Sequence, residues 1–353
     1  MKKILMAIVV IATMTSIATE RRMVWTRPYA VMDSGDGDFD KAAERMKECG
    51  ITDVLCVITD GMSAFYKSKV LQPVVEYKNK SIETVEPMIK AFHKQGIRLH
   101  AWMAIGRLGR TESEYIEQMK KEGRLAININ GEVSTRFICR EDPRNTQAYV
   151  AAAAELIALG IDGIHLDYIR YDHWADCYCE RMKKMYAEHG GKRLDGWPKS
   201  VDANVSLDWQ WVEARKTAIN NIVKAMHQEV RKHKNVEFSA AVFHPASTTK
   251  ALLGQDWSDW IKKDWFDFLC PMVYSSDLES VRRELIDEMQ IIAGAKKTKI
   301  YPGLAVEWSG GSNKAREVAN QINLSRVYMP GGFVLFHWSP DTVGRIETVL
   351  LKK

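Results

Sequence analysis

The stretch Gly160-Ile-Asp-Gly-Ile-His-Leu-Asp-Tyr-Ile-Arg-Tyr171 decides the fold of this chain. Gly160 follows an alanine-rich helical run, and glycine commonly ends a helix. The segment from Ile161 to Leu166 is short, apolar and rich in β-branched residues, which is typical of a buried parallel strand. Asp167 follows where such a strand would end, on the same side as His165, because side chains alternate along a strand.

Asp167 is the first candidate functional residue. A carboxylate that faces the interior of a sheet or barrel is costly unless it is paired or has a chemical role. In α/β folds, the carboxyl ends of the strands carry the chemistry. The position therefore predicts a functional carboxylate. The alternative is a structural aspartate that caps the following loop.

The same pattern of helix, glycine, isoleucine and strand occurs at Gly50-Ile51, Gly96-Ile97 and Gly160-Ile161. Its repetition indicates βα units and a parallel sheet. We predict eight strands, each followed by a helix, and hence a single-domain (β/α)8 TIM barrel. An open, doubly wound sheet is the alternative. The predicted strands span residues 23–30, 53–59, 97–104, 161–167, 236–242, 267–273, 299–306 and 331–337.

Helices are predicted between these strands, and two connections are unusually long. The last helix is expected to begin at Ser339-Pro340-Asp341, and Asp142-Pro143 opens the helix before strand four. Residues 105–142 follow strand three and residues 168–206 follow strand four, so both loops should lie at the active face as lids or walls. The helices are predicted at residues 38–49, 81–95, 143–159, 207–233, 278–294 and 313–325.

The predicted strand ends combine a few carboxylates with many aromatic rings. Strand one ends in Trp25, Arg27 and Tyr29 at alternate positions. Sugar rings stack on tryptophan and tyrosine, while their hydroxyls suit arginine, histidine and aspartate; ordinary packing is the alternative for any single ring. The candidate substrate-binding residues are Arg27, Trp102, His165, Tyr168, Arg170, Tyr274, Trp308, His337 and Trp338.

Two of the carboxylates form the best candidate catalytic pair. Cleavage of a glycosidic bond needs two carboxyl groups that flank the bond, one as acid and one as nucleophile or base. Asp167 and Glu307, from strands four and seven, fit these roles. The reserve candidates are Asp60, Asp256 and Asp277.

The segment Gly163-Ile-His-Leu-Asp-Tyr-Ile-Arg-Tyr171 closely resembles the signature of the glycosyl-hydrolase-like family 10. Supporting matches are Phe238–Phe243, Gln255–Trp260 and Phe266–Phe268 with Pro271–Tyr274, and the resemblance extends from about residue 21 to the end. It implies a TIM barrel, export and action on a bacterial or extracellular polysaccharide. It also implies that the strand-four aspartate, Asp167, is the nucleophile of a retaining mechanism. This chain has Asp172 where the family often has proline.

The first residues of the 353-residue chain resemble a secretory signal. Lys2 and Lys3 precede the apolar run Ile4–Met14, and Ser16-Ile17-Ala18 suits signal peptidase. We expect a signal peptide over residues 1–18 and a catalytic domain over residues 19–353, secreted or periplasmic. The apolar run is too short for stable membrane insertion.

Without the two lysines of the expected signal peptide, the chain holds 48 basic and 45 acidic residues. This near-balance of charge argues against nucleic acid as the partner.

Six cysteines are too few for a disulfide scaffold at this length. Cys177 and Cys179 with His173 lack the usual metal-binding spacing and a second pair of ligands, so we predict no metal and no cofactor. Serine-hydrolase, Walker and dinucleotide-binding motifs are also absent from the sequence.

The leading interpretation is an exported glycoside hydrolase. The alternatives are a non-catalytic glycan-binding barrel and a metal-dependent hydrolase.

Overall fold

The computed structural model describes residues 20–74, 76–77, 80–81, 84–172, 177–202 and 208–351. The expected signal peptide over residues 1–18 and the start of the mature chain at Thr19 lie outside the described residues. His173, considered above as a metal ligand, also lies outside them. Within the described part of the chain, no helix is both long enough and apolar enough to cross a bilayer.

Eight parallel strands close into a barrel, which confirms the predicted (β/α)8 fold and excludes an open sheet. Each strand pairs with the next along the chain, and the last pairs with the first. The strands are β1 (Arg21–Thr26), β2 (Asp53–Asp60), β3 (Arg98–Ala104), β4 (Gly163–Asp167), β5 (Glu237–Val242), β6 (Phe268–Val273), β7 (Gly303–Ala305) and β8 (Gly332–Phe336).

Helices follow every strand and cover the outside of the barrel. Several begin at an aspartate whose side chain accepts backbone N–H groups of the first turn, including Asp142 at the predicted Asp-Pro start. The described helices are Pro28–Ser34, Phe39–Glu48, Val85–Lys94, Ser113–Lys121, Pro143–Ala158, Glu180–Glu188, Trp209–Val230, Ala246–Leu253, Trp257–Lys262, Leu278–Ile292, Ala315–Tyr328, Val343–Leu350 and the 3₁₀ turn Lys199–Val201.

Two predicted boundaries are wrong. β1 ends at Thr26, and Pro28 opens a helix because its fixed φ suits the first helical position, so Tyr29 is helical. The last helix begins at Val343, after a turn in which the backbone N–H groups of Thr342 and Val343 donate to the Ser339 carbonyl. That turn takes the place of the helix start expected at Ser339.

The two long connections carry structure of their own. The one after β3 contains the helix Ser113–Lys121 and an antiparallel hairpin of Leu125–Ile127 with Val133–Ile138. The described part of the one after β4 contains the helix Glu180–Glu188. Shorter strands decorate the barrel: Ser63–Ala64, Gln72–Pro73, Glu76–Tyr77, Lys80–Ser81, Lys299–Ile300, Glu307–Trp308 and Gly311–Ser312.

Alternate residues of the barrel strands point inward and fill the barrel. Met23 and Trp25 of β1 pack there with Phe268 of β6, whereas Val24 faces the helices. This filling places the open cavity above the barrel core.

An ionic cluster closes the lower end, where the strands begin. Asp53 is completely buried, and its Oδ1 lies 2.5 Å from Arg21 Nη2, 2.8 Å from Arg98 Nη2 and 3.0 Å from His100 Nε2. Glu237 pairs with the same two arginines. Burial acts to raise the pKa of Asp53, but its bond to His100 and the charge of Arg21 hold that pKa well below the ordinary value.

Candidate active site

A cavity of about 360 Å³ lies at the carboxyl ends of the strands, where TIM barrels place their active sites. Its walls are mainly aromatic, with three arginines and two aspartates among them. The lining residues are Trp25, Arg27, Val57, Asp60, Phe65, Trp102, Ala104, Arg107, Asp167, Tyr168, Arg170, Ala241, Phe243, Met272, Tyr274, Trp308, Ser309 and Phe336.

Asp167 is the last residue of β4 and is 5% exposed. Its Oδ1 accepts hydrogen bonds from the backbone N–H of Tyr168 at 2.6 Å and from Arg170 Nη1 at 3.2 Å. Tyr168 has a left-handed backbone with φ of 52°, a conformation that is strained for a residue other than glycine and is often found at functional sites. One carboxylate oxygen is therefore held in place beside the cavity.

Asp60 is the second carboxylate of the cavity. It is the last residue of β2, and it pairs with Ala104 of β3 at the same level at which Asp167 pairs with Ala104 from the other side. The two aspartates are thus two strand spacings apart, about 9.6 Å between backbones. Among the described residues, Asp60 forms no ion pair, whereas Asp167 is tied to Arg170.

Stacked arginines and aromatic rings build the wall beside Asp167. The guanidinium of Arg107 lies 4.5 Å from the centre of the Tyr168 ring, and that of Arg170 lies 4.4 Å from it. Arg170 also lies 4.2 Å from the centre of the Phe243 ring. Such cation–π contacts fix planar groups in one orientation.

Tyr274 is a partly buried polar residue of the opposite wall. Its ring packs 5.1 Å from that of Phe336. Burial, with the nearby charge of Asp167, raises the pKa of Tyr274 well above the ordinary value. Its phenol is therefore protonated and can donate a hydrogen bond.

His165 lies beneath the cavity and does not line it. It is fully buried, with Nε2 3.0 Å from Trp25 Nε1 and Nδ1 2.9 Å from Ser239 Oγ. Burial lowers the pKa of His165 well below its ordinary value, so the ring is neutral and accepts the Trp25 N–H. The histidine supports the cavity floor instead of contacting a substrate.

Glu307 does not line the cavity, contrary to the expectation that it shares a cleft with Asp167. It lies in the strand Glu307–Trp308, and its Oε2 accepts a hydrogen bond from Arg345 Nη2 at 2.5 Å. Neighbouring residues of a strand point to opposite sides, so Trp308 faces the cavity while Glu307 faces the last helix. The glutamate instead fastens this strand to Val343–Leu350.

The remaining predicted residues also do not line the cavity. Trp338 is completely buried, and His337 is not among the lining residues. Of the reserve carboxylates, Asp256 caps the helix Trp257–Lys262 and Asp277 caps Leu278–Ile292. Their carboxylates hold helix starts and do not face the site.

Seven of the predicted site residues meet at the cavity: Arg27, Trp102, Asp167, Tyr168, Arg170, Tyr274 and Trp308. Arg107 and Phe65 also line the cavity, from the loops after β3 and β2, and were not predicted from the sequence. The length of the loop after β3 was the available signal for Arg107. No sequence signal distinguished Phe65 from core residues, because its side chain is 5% exposed.

Solved glycosidase structures share this architecture. The PgaB (BpsB) glycoside hydrolase domain from Bordetella bronchiseptica is similar with a TM-score of 0.65 at 12% identity, over 95% of this chain and 100% of that one. The alpha-galactosidase from Lactobacillus brevis has a TM-score of 0.53 at 11% identity, over 94% of this chain and 40% of that one. At these identities the likeness establishes the fold.

Sequence comparison identifies the family. No curated protein sequence matches the chain. The family profile described as Glycosyl hydrolase-like 10 matches residues 17–328, in agreement with the resemblance carried by the strand-four signature. Most of the barrel, including Asp60, Asp167 and Trp308, falls inside that match. The chain therefore belongs to the glycosyl hydrolase-like 10 family.

Proposed function

We propose that this protein is an exported glycoside hydrolase that cleaves a bacterial or extracellular polysaccharide. The observation that carries the proposal is the pair Asp60 and Asp167, which end two strands at the same level of one cavity. Aromatic rings line that cavity and suit the apolar faces of sugars. Family membership and the likeness to glycosidase folds support the same conclusion.

Asp167 is the proposed nucleophile of a retaining mechanism. Arg170 and the Tyr168 N–H hold its Oδ1, which leaves the other oxygen to attack the anomeric carbon. The Arg170 contact also fixes the direction in which the carboxylate points. The attack forms a bond between this oxygen and the anomeric carbon and breaks the bond to the leaving sugar, and water then releases the glycosyl group.

Asp60 is the proposed acid and base, in preference to Glu307. It lines the cavity and forms no ion pair among the described residues, whereas Glu307 is engaged by Arg345. A proton donor must come within hydrogen-bond reach of the leaving oxygen. Retention further requires that the two carboxyl groups lie about 5–5.5 Å apart in the complex with substrate.

The test is turnover by the purified chain on bacterial cell-wall, plant and host polysaccharides, followed by mass spectrometry of the products. Asp167→Asn should lower kcat by at least about 10³-fold and leave binding of the same glycan largely intact. Asp277→Asn is the matched control, because asparagine also caps helices and Asp277 lies away from the cavity. Binding without turnover by the unaltered chain, or full activity of Asp167→Asn, would contradict the proposal.

A further inference from the structure

A second cluster of chemically active side chains lies outside the cavity, where the connections after β3 and β4 meet. It consists of Cys139, Glu141, Cys177 and Cys179, and one ligand atom from each lies within 4.8 Å of all the others. The three cysteines are buried. The two pairs have the same form, with one residue between the two ligands.

The distances match a tetrahedral metal site better than a disulfide. The Sγ atoms of Cys139 and Cys179 are 3.6 Å apart, whereas a disulfide requires about 2.05 Å. Zinc–sulphur bonds of about 2.3 Å in a tetrahedron place two sulphurs about 3.7 Å apart. Glu141 Oε2 lies 2.9 Å from Cys177 Sγ, 3.2 Å from Cys139 Sγ and 3.7 Å from Cys179 Sγ, so all four atoms surround one point.

The surroundings orient these four groups. The Tyr171 hydroxyl contacts the other oxygen of Glu141, as the outer partners of metal-bound carboxylates do. Cys179 is the N-cap of the helix Glu180–Glu188, where the helix dipole favours a thiolate. Among the described residues, the Glu141 carboxylate receives only weak compensation for its lost solvation, from thiol donors and one hydroxyl. A cation would supply that compensation.

The two groups of potential metal ligands in the described residues differ in how their negative charge is compensated. Asp53, His100 and Glu237 are equally close together, but Arg21 and Arg98 already supply their positive charge. Arg181 lies beside the cysteine cluster, but its Nη1 is 4.0 Å from Cys139 Sγ and its Nη2 pairs with Asp142. Of the two ligand groups in the described part of the chain, the cysteine cluster alone combines soft ligands with a carboxylate that no arginine or lysine pairs.

We propose that Cys139, Glu141, Cys177 and Cys179 bind one Zn²⁺ ion as a structural site. Three thiolates and one carboxylate fill the four positions of tetrahedral zinc and leave none for substrate. The ion would join the connection that carries Arg107 to the one that carries Tyr168 and Arg170, and so fix one wall of the cavity. The spacing of Cys177 and Cys179 alone does not indicate this site, because their partners lie about forty residues earlier in the chain.

The test measures zinc in the purified full chain, isolated without chelators and under reducing conditions. We expect about one zinc per chain, and native mass spectrometry should show a single metal adduct. Replacement of zinc by Co²⁺ should give the thiolate charge-transfer band in the near ultraviolet and the intense visible bands of tetrahedral cobalt. These two measurements need no variant.

The variants locate the ion. Cys179→Ala should lower the bound zinc to near zero, whereas Cys270→Ala, a buried cysteine in β6, should keep it. A chelator should lower the Tm of the wild type and leave that of Cys179→Ala unchanged. The proposal is overturned if the chain takes up no stoichiometric zinc, if Cys270→Ala loses zinc equally, or if the intact mass shows a disulfide within the cluster.

Discussion

Asp60 and Asp167 differ in their immediate partners, and the roles proposed for them follow from that difference. Asp167 is held by Arg170 and by the Tyr168 N–H, which fixes one of its oxygens beside the cavity. Asp60 has no such partner among the described residues, so its carboxyl group remains available to the leaving oxygen of a substrate. Neither distinction can be read from the sequence, where both are aspartates at strand ends.

The acid assignment predicts how the leaving group affects activity. With an aryl glycoside whose phenol leaves readily, Asp60→Asn should retain near-normal rates in the first step, because little protonation is needed. On the natural glycan the same variant should lose at least about 10²-fold in kcat. Glu307→Gln should keep activity on both substrates. The reverse pattern, measured by steady-state kinetics, would restore Glu307 as the acid.

The position of Trp308 predicts that its removal would weaken substrate binding more than it would slow catalysis. Its ring lines the cavity from a short strand outside the barrel, so Trp308→Ala should raise KM about tenfold with little change in kcat, as expected for loss of roughly 1.4 kcal/mol of uniform binding. Trp209→Ala is the control, because Trp209 is 61% exposed and does not line the cavity. A large fall in kcat without a change in KM would show that Trp308 acts in the transition state.

At the scale of elements, the sequence predicts the barrel well and its rim poorly. The strands are predictable because they are short apolar runs, three of which follow a glycine stop, and all eight occur within a few residues of their expected places. Asp167 and its neighbours follow directly from strand four. Glu307 was misplaced because the chain leaves β7 for a short hairpin, whose side-chain alternation is set by the turn and not by the barrel.

The loops after β2 and β3 contact each other so closely that replacing Gly109 should destabilise the protein. Gly61 and Gly109 form a bridge, and a Cβ on Gly109 would lie 1.7 Å from the Asp60 carbonyl oxygen. Gly109→Ala should cost about 3–5 kcal/mol and displace Asp60, because backbone cannot yield easily. Gly123 has the same φ of 66° with nothing within 4 Å, so Gly123→Ala should cost only about 1–2 kcal/mol. Denaturant unfolding checks both, and equal costs would contradict the steric argument.

At the scale of the whole molecule, stability should depend on pH through a buried carboxyl. Glu288 of the helix Leu278–Ile292 is completely buried, and neither carboxyl oxygen has a hydrogen-bond partner among the described residues. Burial, and then the charges of Glu284 and Asp287, raise the pKa of Glu288 well above its ordinary value of 4.5. Burial likewise raises the pKa of Glu284 to about 7. At Glu288 and Glu284 the folded chain therefore binds more protons than the unfolded chain, between the ordinary and the raised pKa values.

The contribution of these two carboxyl groups to the free energy of unfolding should consequently fall as the pH rises from about 4.5 towards their raised pKa values in the folded state. Glu288→Gln should stabilise the protein by about 1–3 kcal/mol near pH 8 and change little near pH 4, where the wild-type carboxyl is already neutral. Glu279→Gln, on the exposed side of the same helix, is the control. Denaturant unfolding at several pH values tests this, and an unchanged slope in Glu288→Gln would refute it.

The ionic cluster at the lower end of the barrel determines by which path substrate and product could enter and leave. Arg21, Arg98 and Asp53 seal that end, and the packed rings above them fill the interior. The cavity is thus open only at the carboxyl ends of the strands. A polysaccharide bound there would lie across this opening and could not pass through the barrel. Product would leave through the same opening by which the next substrate enters.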